Sequence, residues 1–403
     1  MKTIVKYIIC TIFSLFIFTN VNALEIQSKG AILYNIKDNK ILYQQNENDK
    51  IQIASLTKIM TAIVTLENIE NLDETATLTK EDFKGLAEEN LVTAGFHPEQ
   101  KVTYRDLLYG LLLPSGADAA KSLARLVGED ENNFVLLMNN KAKTLKLKNT
   151  HFSNPIGLDD SNNYSTTKEV SEIFMYALKN KDFKKIITTD SYTTSDGTIT
   201  LKNTIRHNKN VGDYLEGGKT GTTDNAGLCL ATIASKNNVN FLLVTTGAPY
   251  DKKGPHNYED AKTIYENFIN NYSYQTVIKK HQKILTLKTK YTKKDKVNFY
   301  ASTKIEAYLP NNYNKKDVTY KYSGIKTITS KIKKNTKLGT LDIYYKNEKL
   351  ASEKIVLKQK QQFSLIKYLK DHKLETSIAL VILTCLILLI RRRTRHGKKY
   401  KNA

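Results

Sequence analysis

Cysteine is scarce in this chain of 403 residues: only three are present, Cys10, Cys229 and Cys385. Cys10 falls in an apolar run at the N-terminus and Cys385 in one at the C-terminus. The body between them keeps Cys229 alone, so an internal disulfide is excluded. No lipoprotein-type cysteine follows the N-terminal run. The body must therefore be stable through its core, which a chain of this length can bury, with two domains expected. Histidine is also sparse. His97, His151, His207, His256, His281, His372 and His396 are scattered without metal-ligand spacing, so neither a zinc site nor a cofactor is expected. No internal repeat or low-complexity stretch stands out.

What is abundant is lysine. The formal net charge is +22. No basic–aromatic module of the kind that reads nucleic acid accompanies it, so no nucleic-acid partner is expected. Attraction to anionic wall polymers or lipid headgroups is the alternative. The lysines look spread throughout the chain.

Both ends carry targeting signals. Residues 1–23 open with Lys2 and Lys6, run apolar from Ile8 to Phe18, and end in Val21-Asn22-Ala23. This reads as a secretory signal peptide cleaved after Ala23; an uncleaved anchor is the other reading. Near the C-terminus, Thr376 to Ile390 is a 15-residue apolar run. As a helix it would reach only about 22 Å against a hydrocarbon core of about 30 Å. Adding Leu374, with snorkelling arginines, makes residues 374–390 a transmembrane helix. A membrane-surface helix is the alternative. The basic tail 391–403 then lies in the cytoplasm and the body outside, on the wall side. Residues 363–375 mix Phe363, Leu365, Ile366 and Leu369 with lysines, as in an interfacial amphipathic segment.

Between the ends, "GAILYNIKDNKILYQQ" predicts a β-hairpin. Residues 103–127 predict two helices, capped by Thr103 with Asp106 and broken at Pro114-Ser115-Gly116. "AGLCLATIASKNNVNFLLVTTGA" predicts two strands turning at residues 236–238, with Lys219-Thr220-Gly221 on or beside the first strand of the set. Residues 259–270 predict a helix on that sheet, and 275–360 a small β domain with no visible chemistry.

Ser55 and Lys58 stand three apart near the start of the helical stretch "IQIASLTKIMTAIV", which puts them on one face. A hydroxyl and an amine held together suit a nucleophile and its base. Ser-x-x-Lys occurs five times in the chain, so the spacing alone does not select Ser55.

Three motifs stand in order: Ser55-x-x-Lys58, Ser115-Gly116-Ala117 and Lys219-Thr220-Gly221, spaced 60 and 104 residues apart. With the wider text "NTHFSNPIGLDDSNNYSTTKEVS" and "LEGGKTGTTDNAGLCL", residues 25–360 resemble the D-alanyl-D-alanine carboxypeptidases, the low-molecular-mass serine penicillin-binding proteins. The resemblance selects Ser55. It implies an α+β fold: a β-lactamase/transpeptidase-like domain (antiparallel sheet with a helical cluster) over residues 24–272, a small all-β domain over 275–360, and the C-terminal membrane helix. It implies a serine-type carboxypeptidase that removes terminal D-alanine from the peptidoglycan stem peptide, with β-lactams as covalent inhibitors. Ser55, Lys58 and Ser115 would be catalytic, and Lys219, Thr220, Gly221 and Thr222 would bind substrate, the Thr222 N–H joining that of Ser55 around the oxyanion. Burial and Lys219 together are expected to lower the Lys58 pKa, and Ser115 to bridge Lys58 and the leaving amine. Two positions depart from the family. Ala117 replaces an asparagine that contacts substrate, and Asn257 fills the slot of an arginine that helps hold the carboxylate, with Lys252 or Lys253 as substitutes. These departures keep a weakened wall-binding scaffold open as an alternative, beside a D,D-transpeptidase or a β-lactamase.

Overall fold

A computed structural model describes residues 24–205, 211–251 and 254–399, with side chains through residue 392. The signal-peptide reading of residues 1–23 and the substitutes Lys252 and Lys253 lie outside these. The chain divides into two units between Asn271 and Tyr272.

The first unit is built on a five-stranded antiparallel sheet. Its strands are β1 (Gly30–Asn35), β2 (Lys40–Gln45), β3 (Leu215–Thr223), β4 (Gly227–Lys236) and β5 (Val239–Ala248), in the spatial order β2-β1-β5-β4-β3. The N-terminal hairpin thus joins the later strands through β1 and β5, with Ile32 opposite Val244. Side chains alternate across a strand. In β5, Leu242 and Val244 enter the large core, while Phe241, on the opposite face, meets Tyr265 edge-on. Both faces are therefore covered, which explains the near-continuous apolar run of β5.

The helices are α1 (Thr57–Asn68), α2 (Tyr104–Leu112), α3 (Ala117–Gly128), α4 (Glu131–Thr144), α5 (Thr167–Ala177), α6 (Lys181–Ile187) and α7 (His256–Asn271). From Thr57 to Thr65 every residue of α1 is buried, so it is a central helix and not a helix with one apolar face. Its threonines satisfy their hydroxyls locally: Thr61 donates to the Pro155 carbonyl and Thr65 to the Thr61 carbonyl. The Thr103–Asp106 capping box closes the N-terminus of α2 as the sequence predicts. Pro114-Ser115-Gly116 separates α2 from α3. Helix α7 starts three residues earlier than the periodicity suggests.

The second unit is all-β as far as Val356: β6 (Tyr272–Ile278), β7 (Lys283–Lys290), β8 (Lys296–Tyr300), β9 (Ile305–Pro310), β10 (Val318–Gly324), β11 (Thr327–Thr329), β12 (Lys337–Tyr345) and β13 (Glu348–Val356). Alternating residues such as Leu287, Phe299, Leu341, Ile343 and Ile355 form its core. Strand β8 is the edge of one three-stranded sheet and β13 of another. Two helices follow, α8 (Leu365–Asp371) and α9 (Lys373–Lys399). Within α9, Lys373–Arg392 is long and apolar enough to cross a membrane. The helix runs continuously past both ends of the 15-residue apolar run.

Candidate active site

Ser55 lies in a single turn of 3₁₀ helix, Ala54–Leu56, that leads straight into α1. Ala54 holds φ +46°, a left-handed conformation that costs a non-glycine residue energy unless its surroundings enforce it. Two glycines let those surroundings close in. A Cβ on Gly221 of β3 would lie 3.0 Å from the Ser55 nitrogen and 3.1 Å from the Ile53 oxygen. Gly157, at φ +92°, would put a Cβ 2.0 Å from the Ala54 oxygen. Strand β3 and the loop after Asn154 therefore clamp the serine turn from separate parts of the chain.

Lys58 lies in the first turn of α1. Its Nζ donates to Ser55 Oγ at 3.0 Å and to the Ile156 carbonyl at 2.8 Å. The side chain is 2% exposed. Burial lowers its pKa from the usual 10.5 to about 7, and the Asp118 carboxylate opposes that shift. Once the amine is neutral, the Ser55 contact can reverse, with the hydroxyl donating to the nitrogen lone pair.

Lys219, on β3, is fully buried. Its Nζ donates to Ser115 Oγ and to the Thr220 carbonyl, both at 2.8 Å. Burial and then the neighbouring Lys58 charge hold it well below the usual lysine value. The two buried ammonium groups disfavour each other's charge, so the expected repulsion between Lys58 and Lys219 is present at the site. Ser115 differs from expectation. It sits at φ +71° in the turn between α2 and α3, and its hydroxyl is hydrogen-bonded to Lys219 rather than to Lys58. Thr220 Oγ1 lies 3.3 Å from Thr204 Oγ1, and Thr222 is exposed toward the end of β3. Ser55, Lys58, Ser115 and Lys219 are thus joined pairwise, and the Gly221 backbone touches the same turn.

Three supporting residues carry no role in the sequence reading. Asn154 Oδ1 accepts from the N–H groups of Ile156, Gly157 and Leu158 at 3.2, 2.7 and 3.0 Å. That turn presents the Ile156 carbonyl to Lys58. Asp118 accepts from the N–H groups of Ala94, Gly95, Phe96 and Ala119, which fastens residues 94–96 to the start of α3. Asp159 accepts from the Thr223 hydroxyl and the Asn225 N–H, tying the Asn154 loop to the end of β3. The Asn-Pro-x-Gly turn signal was visible; its distant partners were not.

At the departures from the family pattern, Ala117 is buried, with its N–H given to the Val92 carbonyl. Asn257 is buried too, and its Oδ1 has no hydrogen-bond partner among the described residues. Among the described residues no group of three or more His, Cys, Asp or Glu is arranged to hold a metal ion.

A serine turn packed under an antiparallel sheet, with one buried lysine on the serine and another on the sheet strand, defines a serine peptidase of the penicillin-binding class. The chain belongs to the D-alanyl-D-alanine carboxypeptidase family, whose model matches residues 18–250; a second model, the penicillin-binding protein 5 C-terminal domain, matches 272–362. It is 29% identical over 271 residues to D-alanyl-D-alanine carboxypeptidase DacF of Bacillus subtilis, covering 66% of this chain and 68% of that one. It is 33% identical over 241 residues to a D-alanyl-D-alanine carboxypeptidase of Streptomyces sp. strain K15, covering 56% and 83%. The crystal structure of the Streptomyces K15 DD-transpeptidase superposes with a TM-score of 0.55 at 31% identity, covering 60% of this chain and 98% of that one. Penicillin-binding protein 5 from Haemophilus influenzae shares the fold over 84% of this chain and 98% of its own, with a TM-score of 0.62 at 23% identity.

Proposed function

We propose that this carboxypeptidase acts on peptidoglycan stem pentapeptides through an acyl-enzyme on Ser55. The observation that carries this reading is the Ser55–Lys58 contact of 3.0 Å, with Lys58 buried and lowered to about 7. Neutral Lys58 takes the Ser55 proton as Oγ attacks the carbonyl carbon of the penultimate D-alanine. The resulting oxyanion accepts from the N–H groups of Ser55 and Thr222. Lys219 and Thr220 hold the terminal carboxylate. That carboxylate competes for the Lys219 ammonium and frees the Ser115 hydroxyl, which relays the proton from Lys58 to the departing nitrogen. The C–N bond breaks and D-alanine leaves. Water then adds to the ester, gives its proton to Lys58, and the Ser55 oxygen is released and reprotonated.

A β-lactam offers the same amide carbonyl and carboxylate, but its leaving nitrogen stays tethered by the ring, so the ester on Ser55 persists. The apolar helix supports a C-terminal anchor, with residues 363–375 at the interface, the tail 391–403 on the cytoplasmic side, and the exported body facing the wall. Ala117 and Asn257 leave the substrate fewer polar contacts and predict a raised KM more than a lost reaction.

Incubating the purified protein with a pentapeptide ending in D-alanyl-D-alanine should release D-alanine, and Ser55→Ala should release none. Benzylpenicillin should leave a covalent adduct on the peptide containing Ser55. If the folded protein releases no D-alanine and takes up no adduct, the reading fails in favour of a decayed, wall-binding scaffold.

A further inference from the structure

The positive charge is not evenly spread. Residues 272–360 hold 22 lysines against six carboxylates, a net +16, whereas residues 24–271 sum to −4. All 22 of those lysines are exposed. This surface is far more basic than solubility requires, and nothing in the chemistry of Ser55 uses it.

Part of it is gathered at one end of the β unit. Helix α8 is fastened to the loop 291–295 by several contacts. Ser364 N–H donates to the Tyr291 carbonyl and Lys293 N–H to the Gln362 carbonyl, both at 2.9 Å. Lys367 Nζ reaches Asp295 at 2.7 Å and the Lys293 carbonyl at 3.0 Å, and the Tyr291 and Tyr368 rings meet edge-on at 5.1 Å. The apolar stretch of α9 begins at Lys373, just beyond α8. Loop 291–295 therefore marks where the chain turns toward the span. Beside it, the two edge strands β8 and β13 border a groove of about 870 Å³. Lys294, Lys296, Lys354 and Lys358 line it, above apolar side chains that include Phe299 and Ile355. Its one carboxylate, Glu353, already accepts from the N–H and hydroxyl of Ser302.

The opposite end supplies an internal control. Strand β13 runs nine residues from Glu348 to Val356, about 30 Å at about 3.3 Å per residue. Lys346 precedes its start and donates its N–H to the Asp317 carbonyl, next to Lys315 and Lys316. Those lysines are equally exposed, but they lie a strand's length from Lys358.

We infer that the lysine-lined groove between β8 and β13, with Lys360 beside it, binds the phosphodiester headgroups of anionic lipids in the membrane that α9 enters. Lysine suits this ligand as a compact, flexible charge that tolerates a laterally mobile partner. Attraction of this kind contributes about 1 kcal/mol per basic residue near a charged surface, about fivefold in binding. An anchor of one helix leaves the unit free to tilt. Contacts between the groove and headgroups would hold its base against the bilayer.

The inference rests on the anchor reading, and the test separates the two. The full chain is reconstituted into nanodiscs of phosphatidylcholine alone and of phosphatidylcholine with phosphatidylglycerol. Lysines are then labelled briefly with an amine-reactive ester and read by peptide mass spectrometry. In the anionic discs, labelling of Lys294, Lys296, Lys358 and Lys360 should fall by about fivefold or more and recover at high salt. Labelling of Lys315, Lys316 and Lys346 should not change. Replacing Lys294, Lys296 and Lys358 together with glutamine should abolish the salt-sensitive protection of Lys360 while D-alanine release from a soluble peptide is kept. A protein that does not enter discs contradicts the anchor. Incorporation with equal labelling in both lipids, or equal protection at both ends of β13, overturns the headgroup site. Protection by added poly(glycerol phosphate) in neutral discs, with none from phosphatidylglycerol, overturns it in favour of a wall polymer.

Discussion

The two units treat the same side chain in opposite ways. The first takes Lys58 and Lys219 almost wholly out of water, while the second holds every lysine of residues 272–360 in it. A buried lysine surrenders its charge readily and becomes a base; an exposed one keeps its charge and becomes part of a field. The difference lies in what surrounds the amine. Lys58 and Lys219 each have one backbone carbonyl and one serine hydroxyl as partners, which keeps a desolvated amine supplied with hydrogen bonds when it is charged and when it is neutral. In the second unit the strands alternate, apolar residues such as Leu287 and Ile343 inward and lysines outward, so water does the same work.

This contrast can be broken at graded depths. Lys58→Met keeps the apolar stem in its buried slot and removes the base, so D-alanine release should fall by about 10²–10⁴-fold with the fold retained, as circular dichroism would check. Gly157→Ala adds a Cβ where the Ala54 oxygen already stands and forces alanine to φ +92°. Strain of about 1–3 kcal/mol from the backbone alone should lower the melting temperature along with the rate. Asn154→Ala strips the acceptor from three N–H groups under the Ile156 carbonyl, and kcat should drop about tenfold or more with KM little changed. Asn154→Asp keeps that acceptor, so it should recover most of the rate. Replacing Lys294, Lys296 and Lys358 with glutamine should alter hydrolysis of a soluble pentapeptide by less than about twofold, since exposed charges of this kind contribute little to folding. A large loss there would mean that the second unit shapes the active site directly.

Much of this architecture could be read from residue order, because it is local. The Lys37–Lys40 turn, the Thr103–Asp106 cap, the break at Ser115 and the strand pair around Asn237 each rest on a few adjacent residues, and each appears where that signal falls. The meeting of Ser55 with Lys58 is local as well, three residues on one helix. Its selection among five such pairs needed the other motifs. What stayed hidden depends on distant partners. Ile156 lies 98 residues from Lys58, and nothing in an isoleucine announces that its carbonyl will receive an ammonium proton. The pairing of Ser115 with Lys219 was hidden for the same reason. The charge partition is a different case. It was fully present in the residue order, but a single sum over the whole chain concealed a nearly neutral catalytic unit beside a strongly basic one.

The central claim is that Lys58 loses its proton near neutrality because it is buried, and that Ser55 reacts only then. The most direct measurement is the rate at which benzylpenicillin acylates Ser55, followed from about pH 5 to about pH 11. The Lys58 pKa is lower in the folded enzyme than the usual 10.5, so the rate should rise as pH increases, with a midpoint near 7. A rate that keeps climbing to a midpoint at the ordinary lysine value, or a rising limb near 7 that survives in Lys58→Met, would contradict the account.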